Sequence, residues 1–195
     1  NEIIYRSDRV APVGDAMTLI DAAFDYFRDP DEEPDDQLGR RPVAQAFEYG
    51  GSTFTLVVNH FKSKSCTGAQ GADLDQGDGA SCHNARRVAQ AQAVLDWIPE
   101  IQSQTGDPDV LVIGDLNAYL MEDPITTLES ELVNLLAKYE RDPYSFNFLA
   151  FFSAPHIGRG ALDHAFGTST MPRQVTTVDI WHINADEPRF RSEEH

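Results

Sequence analysis

Two apolar runs in this chain each end in a cluster of polar side chains, and this pairing constrains the fold more than any other feature. The first, Phe54–Val58, leads into Asn59, His60, Phe61, Lys62, Ser63 and Lys64; the second, Val110–Ile113, leads into Gly114, Asp115, Leu116 and Asn117. Apolar runs of about four to eight residues fit strands packed on both faces. Side chains at the ends of such strands sit on rigid supports, which positioned chemistry requires. A carboxylate, a carboxamide and an imidazole delivered this way suit the gripping and hydrolysis of a phosphodiester.

The rest of the pattern predicts mixed α/β or α+β layers. Residues 2–6 and 9–13 read as extended, and 27–36, with its charges and two prolines, as a surface excursion. An alternating strand over 41–49 turns at Gly50–Gly51 into the strand 53–60, a hairpin. Val88, Ala91, Leu95 and Ile98 recur at helical spacing, predicting a helix over 83–104 that Pro99 ends or kinks. Further expectations are a strand over 109–114, a helix over 124–139, and strands around 144–149, 161–166 and 174–182. A length of 195 residues predicts one domain with a proper core. No apolar stretch approaches the roughly eighteen residues of a membrane span. The opening residues, Asn1–Arg6, read as a strand entered midway, so a fragment of a longer protein is expected.

Charge points two ways. The formal net charge is −17, and only three of the fifteen basic residues are lysine. Such a field repels a polyanion, although salt screens it beyond about 10 Å at 0.1 M and divalent cations help further. Six basic residues, Arg40, Arg41, Lys62, Lys64, Arg86 and Arg87, lie near the first polar cluster in sequence. They are either ordinary charge balance or a phosphate-binding rim on an acidic body. Cys66 and Cys82 flank a loop rich in Gly, Ala and Asp and lack metal-ligand spacing. They read as a disulfide, implying an oxidising compartment, or else as two free thiols. Within that loop, Asp73, Asp75 and Asp78 either gather around Ca²⁺ or form a solvated acidic surface.

The candidate catalytic residues follow from chemistry. In extended geometry Asp115 and Asn117 share one side while Leu116 faces the core. The carboxylate then orients water or approaches a hard cation, and the carboxamide N–H meets a phosphate oxygen as charge builds. The same Gly-Asp-x-Asn pattern also fits a capped turn. His60 is either a satisfied core histidine or a proton-transfer group with a near-neutral pKa. Asp163, in the run Leu162-Asp163-His164, is a carboxylate in a strand, where aspartate is depleted and asks for a partner; it is either part of the site or a buried residue fixing a loop or a neighbouring histidine.

Taken together, Val57–Lys64, Gly114–Tyr119, Glu122–Ile125, Leu162–His164 and Trp181–Pro188 occur in an order that resembles the endonuclease/exonuclease/phosphatase superfamily, specifically its bacterial extracellular nuclease branch, and more distantly the pancreatic-type deoxyribonucleases. The resemblance covers residues 1–188 as a partial catalytic domain and leaves 189–195 as a non-matching tail. It implies a four-layered α/β sandwich, two packed mixed sheets flanked by helices and incomplete at both termini. It implies metal-dependent phosphodiester hydrolysis with Mg²⁺, or Ca²⁺ or Mn²⁺. His60 would act at the scissile phosphate, Asp115 on the nucleophile or metal, Asn117 on the phosphate, and Asp163 in the same network. Arg41, Asn84 and Arg87 match family positions expected to face substrate, with Lys62 and Lys64 beside them. The family's metal-binding glutamate and its closing Ser-Asp-His strand have no counterpart here, so this chain by itself is expected to be weakly active or inactive.

The expectation is a secreted or periplasmic nuclease, monomeric and without membrane contact, acting on DNA, and on RNA as a second candidate, with little sequence preference. The alternatives are a phosphomonoesterase or sphingomyelinase on the same scaffold, or a non-catalytic binding module.

Overall fold

A computed structural model describes residues 1–24, 40–147 and 159–181. The expected excursion at 27–36, part of the strand around 144–149, His182 to Pro188 and the tail 189–195 lie outside the described residues. The main sheet has six strands in the order β1-β2-β3-β4-β8-β5. These are β1 (Ala11–Thr18), β2 (Val43–Tyr49), β3 (Ser52–His60), β4 (Val110–Asp115), β8 (Asp163–Gly167) and β5 (Val133–Asn134). Two short strands, β6 (Phe146–Asn147) and β7 (Arg159–Gly160), pair separately. Three helices complete the described fold: α1 (Asn84–Thr105), α2 (Asp123–Glu129) and α3 (Leu135–Tyr139). The architecture is an incomplete α/β sandwich.

The β2–β3 hairpin forms as the pattern predicts. Gly50 and Gly51 both have positive φ, 60° and 85°, the geometry a tight two-residue turn needs. From there β3 pairs with β4 in parallel, and β4 pairs antiparallel with β8. One face of this sheet, with Ala44, Val57, Val110, Val112 and Phe166, is fully buried against Ala91, Val94, Ile101, Ile125 and Leu128 of α1 and α2. The alternate residues Leu56, Val58, Leu111 and Ile113 are only half-buried. The two apolar runs are therefore buried completely on one face, not on both.

Local departures have tertiary causes. Residues 2–6 form no strand; the first strand begins at Ala11. Pro99 does not end α1, because Trp97, Ile98 and Ile101 around it are anchored in the core. The expected helix over 124–139 is interrupted after Glu129, where Asn134 pairs with Phe166 of β8 and its side chain accepts the Ala137 N–H at 3.0 Å to start α3. No strand forms over 174–181. Among the described residues no helix is long and apolar enough to cross a membrane.

Cys66 and Cys82 are joined in a disulfide closing a 16-residue separation. The loop it closes also caps α1. His83 precedes the helix in a left-handed conformation and its side chain provides no cap. The Asp73 carboxylate instead accepts the Arg86 N–H at 2.9 Å, and the Asp73 carbonyl accepts the His83 N–H at 2.7 Å. Replacing both cysteines with alanine is expected to lower the unfolding free energy by about 3 kcal/mol, read by chemical denaturation; an unchanged midpoint would show that the loop holds without its bridge.

Gly114 sets the approach of β3 to β4. Its φ is +140°, and a Cβ there would lie 1.9 Å from the Asn59 carbonyl oxygen. Gly114→Ala must push the strands apart, and a loss of about 3 kcal/mol or more is expected in the same measurement.

Candidate functional site

The register of three adjacent strands builds the site. His60 of β3 lies opposite Asp115 of β4, and Asp115 lies opposite Asp163 of β8. The three side chains thus form a row across the end of the sheet, on the half-buried face. His60 Nε2 is 3.6 Å from Asp115 Oδ2. That separation is too long for a direct hydrogen bond, and close enough for both groups to reach one small ligand atom.

Beyond Asp115 the chain leaves the sheet in a pinned turn. The Asp115 carboxylate accepts the Asn117 N–H at 2.9 Å, and Asn117 has φ of 48°. The capped-turn reading of Gly-Asp-x-Asn is therefore the one observed; strand alternation does not place these two side chains, because β4 ends at Asp115. Leu116 is fully buried as expected. Asn117 Nδ2 donates to the Phe61 carbonyl at 3.1 Å, tying the turn to the exit of β3. His164 Nε2 donates to the Ala118 carbonyl at 2.8 Å, tying it to β8. The Ser145 hydroxyl accepts the N–H groups of Leu162 and Asp163, both at 3.0 Å, and fixes the start of β8. Ser145 carries no sequence signal, since its role depends wholly on the returning strand.

Burial dominates the electrostatics of the pair. It pulls the His60 imidazole below its ordinary range, with Asp115 opposing and Arg40 assisting. Burial also pushes the Asp115 carboxyl up; the Asn117 N–H opposes this, and the neighbouring Asp163 charge adds to it. Each member is thus displaced toward its neutral form. The neutral imidazole leaves one ring nitrogen as an acceptor beside the Asp115 carboxyl.

The expected substrate cations divide. Lys64 is turned inward: its Nζ lies 2.5 Å from both Glu122 carboxylate oxygens and donates to the Ala80 carbonyl at 3.1 Å. Burial pulls its ammonium pKa down, with Glu122 opposing. Arg87 is fully buried and donates to the carbonyls of Cys82 and Ala80, both at 2.8 Å. Both residues brace the disulfide loop through its backbone carbonyls. Asn84 Nδ2 donates to Asp123 Oδ2 at 2.8 Å, joining the starts of α1 and α2. Lys62 and Arg41 are half-buried, and the Lys62 N–H donates to Gln90 Oε1 at 2.9 Å. The arginine against His60 is Arg40, an exposed residue whose Nη1 is 2.6 Å from Nδ1 and also contacts Nε2.

The acidic loop is not a cation cage. Asp73 serves α1 and faces His83 Nδ1 at 3.5 Å. Asp75 and Asp78 instead cap local turns at Gly77 and Ala80. Among the described residues no group of three or more His, Cys, Asp or Glu side chains is arranged to hold a metal ion. The Mg²⁺ implied by the resemblance finds Asp115 but no complete ligand set among the described residues.

No family model matches this chain, and no curated protein does. Solved structures match at the level of fold. A mannosyl-6-phosphatase of Bacteroides thetaiotaomicron superposes with a TM-score of 0.55 at 18% identity, covering 85% of this chain and 55% of that one. An endonuclease/exonuclease/phosphatase family protein of the same organism gives 0.54 at 17%, covering 84% and 52%. TDP2 of D. rerio, complexed with single-strand DNA product, gives 0.55 at 18%, covering 90% and 60%. The chain has the fold of these proteins and spans between 52% and 60% of their lengths.

Acid sensitivity follows from His164. Burial holds its imidazole below the ordinary value of 6.5. The unfolded chain then binds more protons than the folded one as pH falls through that value, so stability is present above it and declines below. Unfolding free energy is expected to fall between about pH 8 and about pH 5, and the slope to flatten in His164→Asn; an equally steep slope in the variant would assign the effect elsewhere.

Proposed function

We propose that this chain carries the reacting centre of a phosphoester hydrolase, and that its substrate is the phosphodiester backbone of nucleic acid, DNA foremost, in an extracellular or periplasmic setting. The observation that supports this most is the row of His60, Asp115 and Asp163 at one level of three strands, with Asn117 pinned beside it. In this reading Asp115 orients the attacking water, His60 takes that water's proton as its oxygen bonds to phosphorus and returns it to the oxygen that leaves as the P–O bond breaks, and Asn117 holds a non-bridging oxygen. Asp163 keeps negative charge next to Asp115 and so helps hold its pKa up.

The fold's occurrence in a DNA-bound TDP2 favours a nucleic-acid diester, and the disulfide favours an oxidising compartment. Its occurrence in a mannosyl-6-phosphatase favours a second reading, a phosphomonoesterase. The resemblance in sequence adds a divalent-cation requirement.

Supercoiled plasmid, a sugar phosphate and sphingomyelin, each with Mg²⁺ and with EDTA, separate these readings. From this chain, slow nicking of the plasmid that EDTA abolishes is expected, and His60→Ala should slow it further by about a hundredfold with the circular dichroism unchanged. Turnover of the sugar phosphate or sphingomyelin alone would move the assignment to that class. No turnover of any substrate, together with no phosphate-induced shift of the His60 ring resonances, would leave a non-catalytic module.

A further inference from the structure

His60 is the last residue of β3, so the main chain that follows it leaves the sheet. The next two residues are nevertheless fastened group by group. The Phe61 N–H donates to the Asp115 carbonyl at 2.9 Å, and the Phe61 carbonyl accepts Asn117 Nδ2 at 3.1 Å. The Phe61 ring is buried and lies tilted against Phe24, with 6.0 Å between ring centroids. At Lys62 the partner comes instead from α1, where Gln90 Oε1 accepts the Lys62 N–H at 2.9 Å. Arg87, one helical turn earlier, directs Nη1 at the Lys62 carbonyl from 3.4 Å.

Gln90 is only 1% exposed, on the face of α1 that otherwise brings Ala91, Val94, Ile98 and Ile101 into the core. A carboxamide buried there costs free energy unless its polar atoms are paired. Methionine or leucine would fill the volume without that demand. Gln90 meets the demand with main chain from two separate loops. Oε1 takes Lys62, and Nε2 donates to the Ala23 carbonyl at 3.1 Å, in the short 3-10 turn Ala22–Phe24. That turn ends in Phe24, on which the Phe61 ring packs. Both bonds of the carboxamide therefore converge on the segment directly after His60, one by way of Lys62 and the other by way of the ring beneath Phe61.

We propose that Gln90 is a positioning residue of this centre: through the Lys62 N–H it sets the main chain that follows His60 and so keeps the imidazole at the level of Asp115. The proposal rests on the phosphoester reading above, in which His60 moves the proton. Gln90 acts through the backbone and transfers nothing itself. Its effect falls on the chemical step and not on substrate affinity, since misplacing a reacting group by about 1 Å costs about a hundredfold in rate.

Three variants of the full chain test this in plasmid nicking with Mg²⁺, each with its circular dichroism and denaturation midpoint. Gln90→Met removes both bonds at nearly constant volume, and Gln90→Glu retains the acceptor for Lys62. Ile101→Val trims the core of the same helix about three turns further along. Gln90→Met is expected to lower kcat by about tenfold with KM unchanged, and Gln90→Glu to recover part of the loss. Ile101→Val should leave kcat at the wild-type value whatever it does to the midpoint. The NMR resonances of the His60 ring should move or broaden in Gln90→Met and not in Ile101→Val. Should Gln90→Met lose its circular dichroism, Gln90→Asn, too short to reach Lys62, takes its place with the same expectations. Wild-type kcat in the variant, beside a loss in His60→Ala, would overturn the role of Gln90 and leave the reacting centre standing. So would a rise in KM alone, or an equal fall of kcat in Ile101→Val. No nicking by wild type would overturn the reaction and this inference together.

Discussion

The site depends on the parallel pairing of β3 with β4 in a single register. Side chains alternate along a strand, so a one-residue slip would move His60 to a different row and turn the partner strand's polar residue to the opposite face. Gly114 guards against this, because the two backbones approach at that level more closely than any Cβ permits. The same register continues into β8, so one constraint aligns residues far apart in sequence. The Asn117 bond to Phe61 and the His164 bond to Ala118 then fasten the turn after β4 to the strands on either side. The polar groups are thus held by backbone geometry and by side chains that are themselves buried.

Beneath this row, the cations that follow β3 have internal partners despite a net charge of −17. Lys64 joins Glu122 at the start of α2, and Arg87 gathers the carbonyls of the disulfide loop. The loop in turn lends Asp73 to a helix whose preceding residue cannot cap it. A buried pair of this kind is costly to break from one side, because the remaining charge stays desolvated. It is also poorly screened by salt, unlike the acidic surface. The exit of β3, the start of α1 and the start of α2 are therefore braced together, and the end of the sheet that carries His60 and Asp115 is supported where loops would otherwise leave it loose.

Much of this was legible in the residues. β3 and β4 show as apolar runs with polar ends, α1 by its spacing, and the hairpin by Gly50–Gly51. Meeting of the two polar clusters was readable because both stand at strand ends. What escaped depends on partners distant in the chain. Asn134 belongs to a helical pattern until β8 arrives to pair with it. Lys64 and Arg87 look like a basic rim until Glu122 and the loop carbonyls enclose them. Asn117 follows strand parity only while β4 lasts, and β4 stops two residues earlier. Arg40 was visible as charge, while Arg41 carried the motif; which of the two meets the imidazole is decided by where β2 begins.

The electrostatics of His60 and Asp115 are set by burial more than by their attraction for each other. Were the pair a stabilising salt bridge, mutual attraction would raise the imidazole and lower the carboxyl. Both shifts run the other way, because burial outweighs the attraction across 3.6 Å. Burial of the pair is thus a cost that its mutual attraction does not cancel. Asp163 in the same row adds to the upward shift of Asp115 and opposes the downward shift of His60. The proposed role would use this arrangement, fixed by a glycine, an Asx turn and two side-chain-to-backbone bonds, in which both groups are displaced toward neutrality and a reacting atom could lie between them.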